Sequence, residues 1–594
     1  MALLIVALAI GVRVAWVFLV PTRPVGDFAM YIESARYLAE HHALDPEFIY
    51  MPGYVALLAV VHALGGGLLA MKMIGVVSGG LAAGAVYGIT RTLFGNAAAL
   101  VAGLLCALWP GGIAVASVTG TDMPSAALIA IAVWLLVREA GRRPLGAPAL
   151  FGLVMGLAAY VRAVALPLTA LAAPHFRARG ARIGHVVTRT LAACIVAGLV
   201  LLPWGIRNKI RYGEFFLTDS HGGHTALVGA NPNSEGTYSR SLNRLFWEGT
   251  GYRLFAPPHR EGDRAAFKLA VQWAKTEPKY AVGLLAGKAD RLLTHERPLL
   301  YWPLYRQSVL PPGSRVLAWF TTHRTGVERV VDWFWYLFVG AVLVGVIAAF
   351  ARRNRPATSL LPIPLALAVI YVLFFAEARY HLPVAVLLMP FAGAGVVWIG
   401  EAVRDLARFA IDRQRRPRLL YEGVLAAVAI AALFVGWPRM LAAGTRLRNE
   451  HRWAVAACTV GGAKQVCGFR PVVAPGHASP VRGTWDGFGI RLAETTAAAV
   501  TDIDLAAGEY RISMRLDCGD SCPDGAELAV SAGGAEIRRT PWPAAGPGVA
   551  FVLPIRHAGG KLHIEFRVDG KNLHPGAPPT ALWISAFEVE REDR

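Results

Sequence analysis

The stretch MALLIVALAIGVRVAWVFLVPTRPVGDFAMYIESARYLAE, residues 1–40, contains the pattern that decides the fold. Its first half, up to Val20, is almost entirely apolar, and a helix of ~20 such residues crosses the ~30 Å hydrocarbon core of a membrane. The run lacks a basic segment at its start and a small-residue cleavage site at its end. It therefore predicts a retained first membrane span rather than a signal peptide.

The second half of this stretch predicts a helix that lies flat at the membrane surface. From Asp27 to about Glu40, apolar and charged residues fall on opposite sides of a helix. The apolar side carries Phe28, Tyr31, Ile32, Ala35 and Leu38, and the charged side carries Glu33, Arg36 and Glu40. Met51-Pro52-Gly53-Tyr54 then opens a second short apolar helix. We expect residues 21–67 to form a loop outside the membrane.

Apolar runs recur along the first three quarters of the chain and predict about eleven spans. After the first span we place them near residues 68–92, 97–117, 123–138, 189–206, 328–350, 358–376, 382–402 and 420–438. Residues 148–173 are too long for one span, so we expect two short helices that turn back at Arg162. Residues 207–327 are polar and predict a long outside loop.

The composition supports a membrane protein and excludes a nucleic-acid-binding one. Of the 594 residues 55% are hydrophobic and 17% charged, which is a low charged fraction for a soluble domain. The formal charge of +19 is high, but the arginines stand in short loops between apolar runs. That placement is the positive-inside pattern, which puts residues 21–67, residues 207–327 and the tail on the extracytoplasmic side.

The tail predicts a separate β domain. We divide the chain into a transmembrane domain, 1–440, and an extracytoplasmic domain, 441–594. Residues 509–516 and 561–568 alternate apolar and polar side chains, and Gly and Pro clusters separate such runs, which favours a β-sandwich. Four cysteines lie there, and in an oxidising compartment they suit disulfides, with structural zinc as the alternative: Cys458, Cys467, Cys518 and Cys522.

Two acidic residues stand at predicted membrane edges. Asp27 follows the first span, and Asp122 begins the fourth. Each could simply cap its helix. Two carboxylates on loops at one membrane face can also converge, one as general base toward a hydroxyl and the other to orient that hydroxyl or hold a divalent cation. The sequence leaves the need for a metal open.

Polar groups also cluster at the ends of two later spans. Arg207 and Asn208 lie within Leu202–Arg211, where arginines could bind a phosphate or extend to lipid headgroups. A compact turn carries Glu377, Arg379, Tyr380 and His381, which fits either a binding site or an interfacial belt.

The long outside loop adds weaker candidates. His221 and His224 have a spacing that could serve a metal, although a glycine-rich loop with solvated histidines is the commoner case. Asn231, followed by Pro232 and Asn233, predicts a turn that could contact a sugar.

In their order along the chain, these pieces resemble the type C glycosyltransferases, in the bacterial branch related to protein O-mannosyltransferases and the lipid A aminoarabinose transferase. The resemblance spans roughly residues 10–400. Its pieces are Gly26-Asp27 with Tyr31 and Ala35, Tyr50–Tyr54, Asp122, Pro203–Asn208, Gly229–Pro232, Gly236-Thr237-Tyr238 and Glu377–Pro383. The tail lies outside it.

The resemblance implies an activity and a set of site residues. It implies inverting transfer of a sugar from a polyprenyl-phosphate donor to an acceptor hydroxyl of a glycan, lipid or protein, at the outer face of a bacterial inner membrane. Asp27 corresponds to the catalytic base and Asp122 to the second acidic position. The donor phosphate would contact Arg207, Arg379 and Tyr380. The cavity would be completed by Tyr31, Tyr54, Arg162, Asn208, His224, Asn231, Glu377 and His381.

Two other functions compete with this interpretation. A transporter or flippase of lipid-linked sugars would need charges at mid-bilayer and a repeat, and only Arg162 lies near that depth. A membrane scaffold that displays the β domain for binding would need no acidic pair.

Overall fold

The computed structural model describes most of the chain. The described residues are 1–46, 48–138, 145–231, 242, 246–247, 250–256, 258–311, 313–411, 420–450, 454–460, 463–472, 482–484, 487–492, 496–518, 527–541, 549–569 and 580–592. They divide into two compact units. The first contains residues 1–219, 289–372 and 376–439, and the second contains residues 220–288, 373–375 and 440–594.

Helices dominate up to residue 450. In chain order they are α1 (Ala2–Leu19), α2 (Asp27–His41), α3 (Gly53–Ala63), α4 (Leu68–Phe94), α5 (Asn96–Leu108), α6 (Pro110–Ala114), α7 (Asp122–Arg138), α8 (Gly146–Val161), α9 (Ala165–Leu168), α10 (Ala173–Ala178), α11 (Ile183–Tyr212), α12 (Gly222–Gly229), α13 (His259–Thr276), α14 (Pro278–Leu293), α15 (Pro298–Tyr301), α16 (Arg315–Thr322), α17 (Arg324–Ala351), α18 (Arg355–Thr358), α19 (Pro362–Leu373), α20 (His381–Ile411) and α21 (Leu420–Glu450). Turns of 3₁₀-helix cover Val115–Ser117, Thr169–Ala172 and Ala378–Tyr380, and a π-helical turn covers Trp302–Arg306.

The helical membrane fold is confirmed, whereas the number of spans stays a prediction. Among the described residues, 6 helices are long and apolar enough to cross a membrane, and 7 if the bent pair α5–α6 counts as one span. The break expected near Arg162 is present, because α8 ends at Val161 and the chain is extended at Arg162. The amphipathic helix is also present as α2, with Phe28, Tyr31 and Ile32 buried.

Small residues let the helices of the first unit approach closely. α20 packs along α17 and α5. A Cβ atom at Gly345 would overlap the backbone of Phe391, and one at Gly395 would overlap the backbone of Ala341. Close backbone contact of this kind is how helices associate in a membrane, where burial of apolar surface gives little driving force.

A buried arginine stabilises the break between α5 and α6. Pro110 begins α6 and cannot donate a backbone hydrogen bond, so carbonyls at the end of α5 lose their helical partners. Arg13 of α1 is fully buried and donates to the carbonyls of Cys106 (3.1 Å) and Ala107 (3.0 Å). In a membrane such carbonyls need a partner from the protein, and Arg13 supplies it.

The tail of the second unit is a β region of eleven described strands. They are β1 (Ala454–Val460), β2 (Ala463–Val472), β3 (Arg482–Thr484), β4 (Gly487–Leu492), β5 (Thr496–Leu505), β6 (Gly508–Cys518), β7 (Glu527–Ala532), β8 (Ala535–Pro541), β9 (Val549–His557), β10 (Gly560–Asp569) and β11 (Thr580–Arg591). One antiparallel run is β3–β4–β11–β6–β9, and another is β5–β10–β7–β8. β1 pairs with β11 in parallel and with β2 in antiparallel, and β2 continues to β5.

The expected alternation in the tail is confirmed. In β10 the side chains of Leu562, Ile564 and Phe566 are buried, and the ring of Phe566 lies 5.7 Å from that of Phe587 in β11. The two runs of strands thus share an apolar core, as the layers of a sandwich do.

The predicted disulfides stay a prediction. Backbone pairing sets Cys458 opposite Gln465 and Cys467 opposite Ala456. The side chains of Cys458, Cys467 and Cys518, and all of Cys522, lie outside the described residues.

Candidate active site

Asp27 stands at a turn that leads into the surface helix. Gly26 has φ +60°, a left-handed conformation that glycine adopts without strain, and α2 begins at the next residue. The Asp27 side chain is 50% exposed. Its carboxylate lies at the N-terminus of α2, where the helix dipole favours negative charge.

Arg379 links Asp27 to the polar turn before α20. Its Nη2 donates to the Asp27 carboxylate at 3.4 Å, and its Nε donates to Glu377 at 3.1 Å. The guanidinium also lies over the ring of Phe28, 5.0 Å from its centre. The structure therefore holds this arginine between carboxylates that are about 350 residues apart in sequence, and leaves its side chain 14% exposed.

Asp122 has a different environment from Asp27. It begins α7, is only 6% exposed and forms an ion pair with Arg162. The Arg162 guanidinium lies over the ring of Tyr380 at 4.6 Å. Asp122 is also close enough to Arg379 to interact with it electrostatically. One carboxylate is thus buried and paired, while the other faces solvent.

The two acidic loops meet at a small cavity. Thr119, just before Asp122, donates to the carbonyl of Phe28 at 3.4 Å. Asp122 and Arg379 line the cavity together with apolar groups from several helices, among them Phe28, Met123, Leu299 and Trp302. The cavity therefore combines a carboxylate and a guanidinium with apolar walls.

Tyrosines pack behind the carboxylates. Tyr31 of α2 is buried, and its ring lies 5.6 Å from Tyr54 of α3 and 5.8 Å from Tyr50. Burial raises the pKa of the Tyr31 hydroxyl, and the charge of Asp27 raises it further. Tyr31 therefore offers a neutral hydroxyl near the Asp27 carboxylate, and the Tyr54 ring packs against the Tyr31 ring.

The predicted phosphate contact at the end of α11 is placed differently. The Arg207 guanidinium lies over the ring of Trp204 at 4.6 Å and donates to the Asn208 side chain at 3.1 Å. Asn208 is fully buried and donates to the carbonyls of Phe216 (2.9 Å) and Thr218 (3.3 Å). Asn208 therefore holds its own loop rather than facing a cavity. Among the described contacts, none joins Arg207 to the carboxylates around Arg379.

His381 is also placed differently from the expectation. It follows Tyr380 directly, yet it is fully buried, with Nε2 3.0 Å from a carboxylate oxygen of Glu296. Its ring stacks on Trp335 at 4.4 Å. The turn thus directs Arg379 and His381 to different surroundings, and His381 lies in the protein interior.

Two predicted cavity residues belong to the second unit and have partners there. His224 accepts from the backbone N–H of Phe255 at 2.6 Å, and burial lowers its pKa to about 4. The Asn231 amide donates to the carbonyls of Leu227 (2.8 Å) and Val228 (3.1 Å), in the helix that it follows. Gly236 and Tyr238 of the same motif lie outside the described residues.

No metal centre is evident in the part of the chain that the structure describes, where no three His, Cys, Asp or Glu side chains are placed to hold an ion. At the site itself the carboxylates already have cationic partners. Arg162 pairs with Asp122, and Arg379 pairs with Asp27 and Glu377.

The sequence interpretation missed several buried charged residues of the first unit, among them Lys72 and Glu296. Lys72 of α4 donates to the carbonyl of Thr22 at 2.8 Å, and Glu296 pairs with His381. A lysine inside an apolar run was a signal for the first. Glu296 had no signal, because it stands in a polar segment where an exposed glutamate is ordinary.

This is a polytopic helical protein with a site of paired carboxylates and arginines. The family model of the dolichyl-phosphate-mannose-protein mannosyltransferases matches residues 49–206, which include Tyr54, Asp122 and Arg162. Over these residues the match confirms the resemblance to the type C glycosyltransferases that the motifs carry. No curated protein sequence matches the chain.

Several solved structures of membrane glycosyltransferases are distantly similar to this chain. The Archaeoglobus fulgidus oligosaccharyltransferase in complex with Zn and sulfate has a TM-score of 0.41 at 16% identity, over 74% of this chain and 53% of its own. ArnT from Cupriavidus metallidurans bound to undecaprenyl phosphate has a TM-score of 0.41 at 16% identity, over 75% of this chain and 74% of its own. The arabinosyltransferase EmbB from Mycobacterium smegmatis has a TM-score of 0.25 at 11% identity, over 99% of this chain and 64% of its own. The chain spans about half the length of the archaeal enzyme.

Proposed function

We propose that this protein transfers a sugar from a polyprenyl-phosphate-linked donor to an acceptor hydroxyl, with inversion at the anomeric carbon. The observation that carries the proposal is the placement of Arg379. Its guanidinium contacts Asp27 and lines the cavity beside Asp122. An exposed base beside a cation for the departing phosphate is what transfer from a lipid-phosphate donor requires.

Asp27 acts as the general base in this proposal. It takes the proton of the acceptor hydroxyl while the hydroxyl oxygen attacks the anomeric carbon from the side opposite the phosphate. The bond between that carbon and the phosphate oxygen breaks, and the polyprenyl phosphate leaves with the electron pair. The leaving group is already an anion, so no general acid is needed.

Arg379 exchanges partners when the donor binds. Its contact with Asp27 is long, at 3.4 Å, and half of the Asp27 side chain is exposed, so this ion pair is weak. A phosphate accepts two parallel hydrogen bonds from a guanidinium and competes well with such a pair. The donor thereby frees the Asp27 carboxylate, and Arg379 stabilises the charge on the departing phosphate. Glu377, at 3.1 Å, keeps the arginine in place throughout.

Asp122 orients the acceptor in this scheme. Because Arg162 holds it in one position, Asp122 offers a fixed hydrogen-bond acceptor to the incoming hydroxyl. A divalent cation at Asp122 would have to displace Arg162. We therefore expect transfer to survive treatment with a chelator, and loss of activity with EDTA that Mg²⁺ or Mn²⁺ restores would contradict this.

The reaction takes place at the extracytoplasmic face of a bacterial inner membrane in this proposal. The arginine-rich short loops support that orientation of the chain. The partners are the lipid-linked donor, a glycan, lipid or protein acceptor, and the bilayer itself.

The experiment is Asp27→Asn in purified protein, with polyprenyl-phosphate sugar consumption followed by thin-layer chromatography. Loss of the base should lower the rate by about 10²–10⁴-fold. The melting temperature should not change, because Asp27 is half exposed. Glu33→Gln is the matched control, since Glu33 lies on the exposed side of the same helix.

An Asp27→Asn variant with the wild-type rate would remove Asp27 from the base role. A wild-type protein that moves labelled lipid across vesicles without consuming the donor would favour the transporter instead.

A further inference from the structure

A buried acid–base pair lies directly behind the turn that carries Arg379. Glu296 and His381 are both completely shielded from solvent, and their side chains are 3.0 Å apart. The other ring nitrogen of His381 lies 3.1 Å from the carbonyl oxygen of Leu292. Both ring nitrogens of His381 therefore face oxygen atoms.

The surroundings fix the ring and the carboxylate. His381 stacks on Trp335 at 4.4 Å and lies 6.1 Å from the ring of Trp109. Across from it, a Cβ atom at Gly111 would overlap the Glu296 carboxylate, so this position has no room for a side chain. Close packing and the exclusion of solvent therefore hold the Glu296 and His381 side chains in one arrangement.

The segment that carries Glu296 is itself anchored to α17. The carboxylate of Asp332 accepts from the backbone N–H groups of Glu296 and Arg297, each at 3.0 Å. Trp335 donates to the carbonyl of Leu293 at 2.7 Å. The backbone at Glu296 is therefore fixed, and the His381 ring lies beside the Glu296 carboxylate.

His381 is the first residue of α20, and the residues just before it form the site. Tyr380 follows Arg379 in a tight 3₁₀ turn, in which the N–H of Tyr380 donates to the carbonyl of Glu377 at 3.0 Å. The Tyr380 ring lies 5.4 Å from the guanidinium of Arg379 and 4.6 Å from that of Arg162. One short turn therefore connects His381 to both cations.

We propose that Glu296 and His381 are positioning residues that set Arg379 and Tyr380 for the donor phosphate. The inference rests on the proposed function, because it assigns the pair to the donor side of that reaction. Neither residue touches the donor. Glu296 acts through His381, and His381 acts through the turn.

The test replaces the pair as a unit. Glu296→Met with His381→Phe keeps the volumes and the ring between the tryptophans, and leaves no unpaired buried charge, so the variant should fold. We expect a melting temperature near that of the wild type. The KM for the polyprenyl-phosphate sugar should rise about tenfold or more, since a displacement of ~1 Å at a site costs up to ~100-fold. The KM for the acceptor should not change.

A second double variant tests the same proposal if the first one does not fold. Glu296→Gln with His381→Asn keeps a neutral hydrogen-bonding pair in the same space, and its donor KM should fall between those of the wild type and the apolar variant. Thr294→Val is the matched control. It removes the acceptor of the 2.9 Å hydrogen bond from Trp437 in the same segment, and it should leave the donor KM unchanged.

Binding of undecaprenyl phosphate to each protein separates the outcomes. If the wild type neither binds this probe nor consumes the donor, the proposed function itself fails. If the wild type binds and both folded double variants match it in donor KM and probe affinity, the pair serves packing alone and the inference is overturned. A rise in acceptor KM with unchanged donor KM would also overturn it.

Discussion

Two regions that each carry an arginine near the end of an apolar helix differ in the partners of that arginine. The turn from Glu377 to Tyr380 brings its arginine out to the carboxylate of Asp27 and to the cavity. At the end of α11 the arginine and the asparagine contact residues close to them in sequence. Arg207 lies over the ring of Trp204, and Asn208 donates a hydrogen bond to the following loop. In the part of the chain that the structure describes, the arginine of the first region faces a carboxylate from another loop, and that of the second does not.

The difference between these two regions shows what makes a polar side chain available for a ligand. Asn208 is buried because the backbone carbonyls of residues 216 and 218 need donors there. Among the described contacts, the hydrogen bonds of Arg379 go to side chains alone, and the weaker of these partners is half exposed. A phosphate can replace an exposed side chain, but it cannot replace a partner that holds the local fold.

The largest effect should come from Arg162→Met. It leaves the buried carboxylate of Asp122 without its cation, and breaking one half of a buried ion pair costs about 3–5 kcal/mol of the free energy of unfolding. Chemical denaturation in detergent measures this loss. Asp122→Leu added to Arg162→Met should restore most of the stability but no transfer. A single variant as stable as the wild type would show that Asp122 does not depend on Arg162.

The next effect tests the first region of the comparison. Arg379→Gln removes the cation that stabilises the departing phosphate, and we expect kcat/KM for the lipid-linked donor to fall about 10²–10³-fold. The fold should persist, because Asp27 stays hydrated. Arg36→Gln is the control, since Arg36 lies on the exposed side of α2. A loss smaller than tenfold would place the phosphate away from Arg379.

Much of the fold could be predicted because membrane burial leaves a simple pattern. Apolar length indicated α1, α4 and α17, and the charged side of α2 followed from a helical period. The alternation in β10 was equally plain. The number of spans was harder, because short helices such as α3 and α8 do not reach the length of a membrane span.

The site could be predicted only in part, for a physical reason. Sequence position places Asp27, Asp122 and Arg379 near helix ends, and proximity to a membrane edge then brings them within reach of each other. It does not reveal whether a polar group is already bonded to backbone, as Asn208, Asn231 and His381 are. Each of those three has a backbone carbonyl as a partner, and a backbone carbonyl carries no sequence signal.

A substitution with a moderate expected effect tests the second region, the end of α11. Asn208→Leu leaves the carbonyl of Phe216 without its donor, and an unsatisfied buried group costs about 1–3 kcal/mol in unfolding free energy. Thermal unfolding would show the loss, while turnover per folded molecule should stay at the wild-type value. Lys209→Gln, at an exposed neighbour, should change stability by less than ~0.5 kcal/mol. Loss of turnover in a stable Asn208→Leu protein would return Asn208 to the cavity.

The substitution with the smallest expected effect decides whether Arg207 and Arg379 differ in function. Arg207→Gln removes a guanidinium whose described partners are Trp204, Tyr212 and Asn208, all on its own helix. Because the substitution touches no carboxylate of the site, we expect kcat/KM for the donor to change by about twofold, as for an ordinary surface substitution. Measured beside Arg379→Gln under the same salt and lipid conditions, it separates an arginine that binds the donor from one that holds its own helix end. If the two variants lose activity equally, both arginines bind the phosphate. The prediction that an arginine of Leu202–Arg211 contacts the donor would then be correct, and the contacts of Arg207 described above would change when the donor binds.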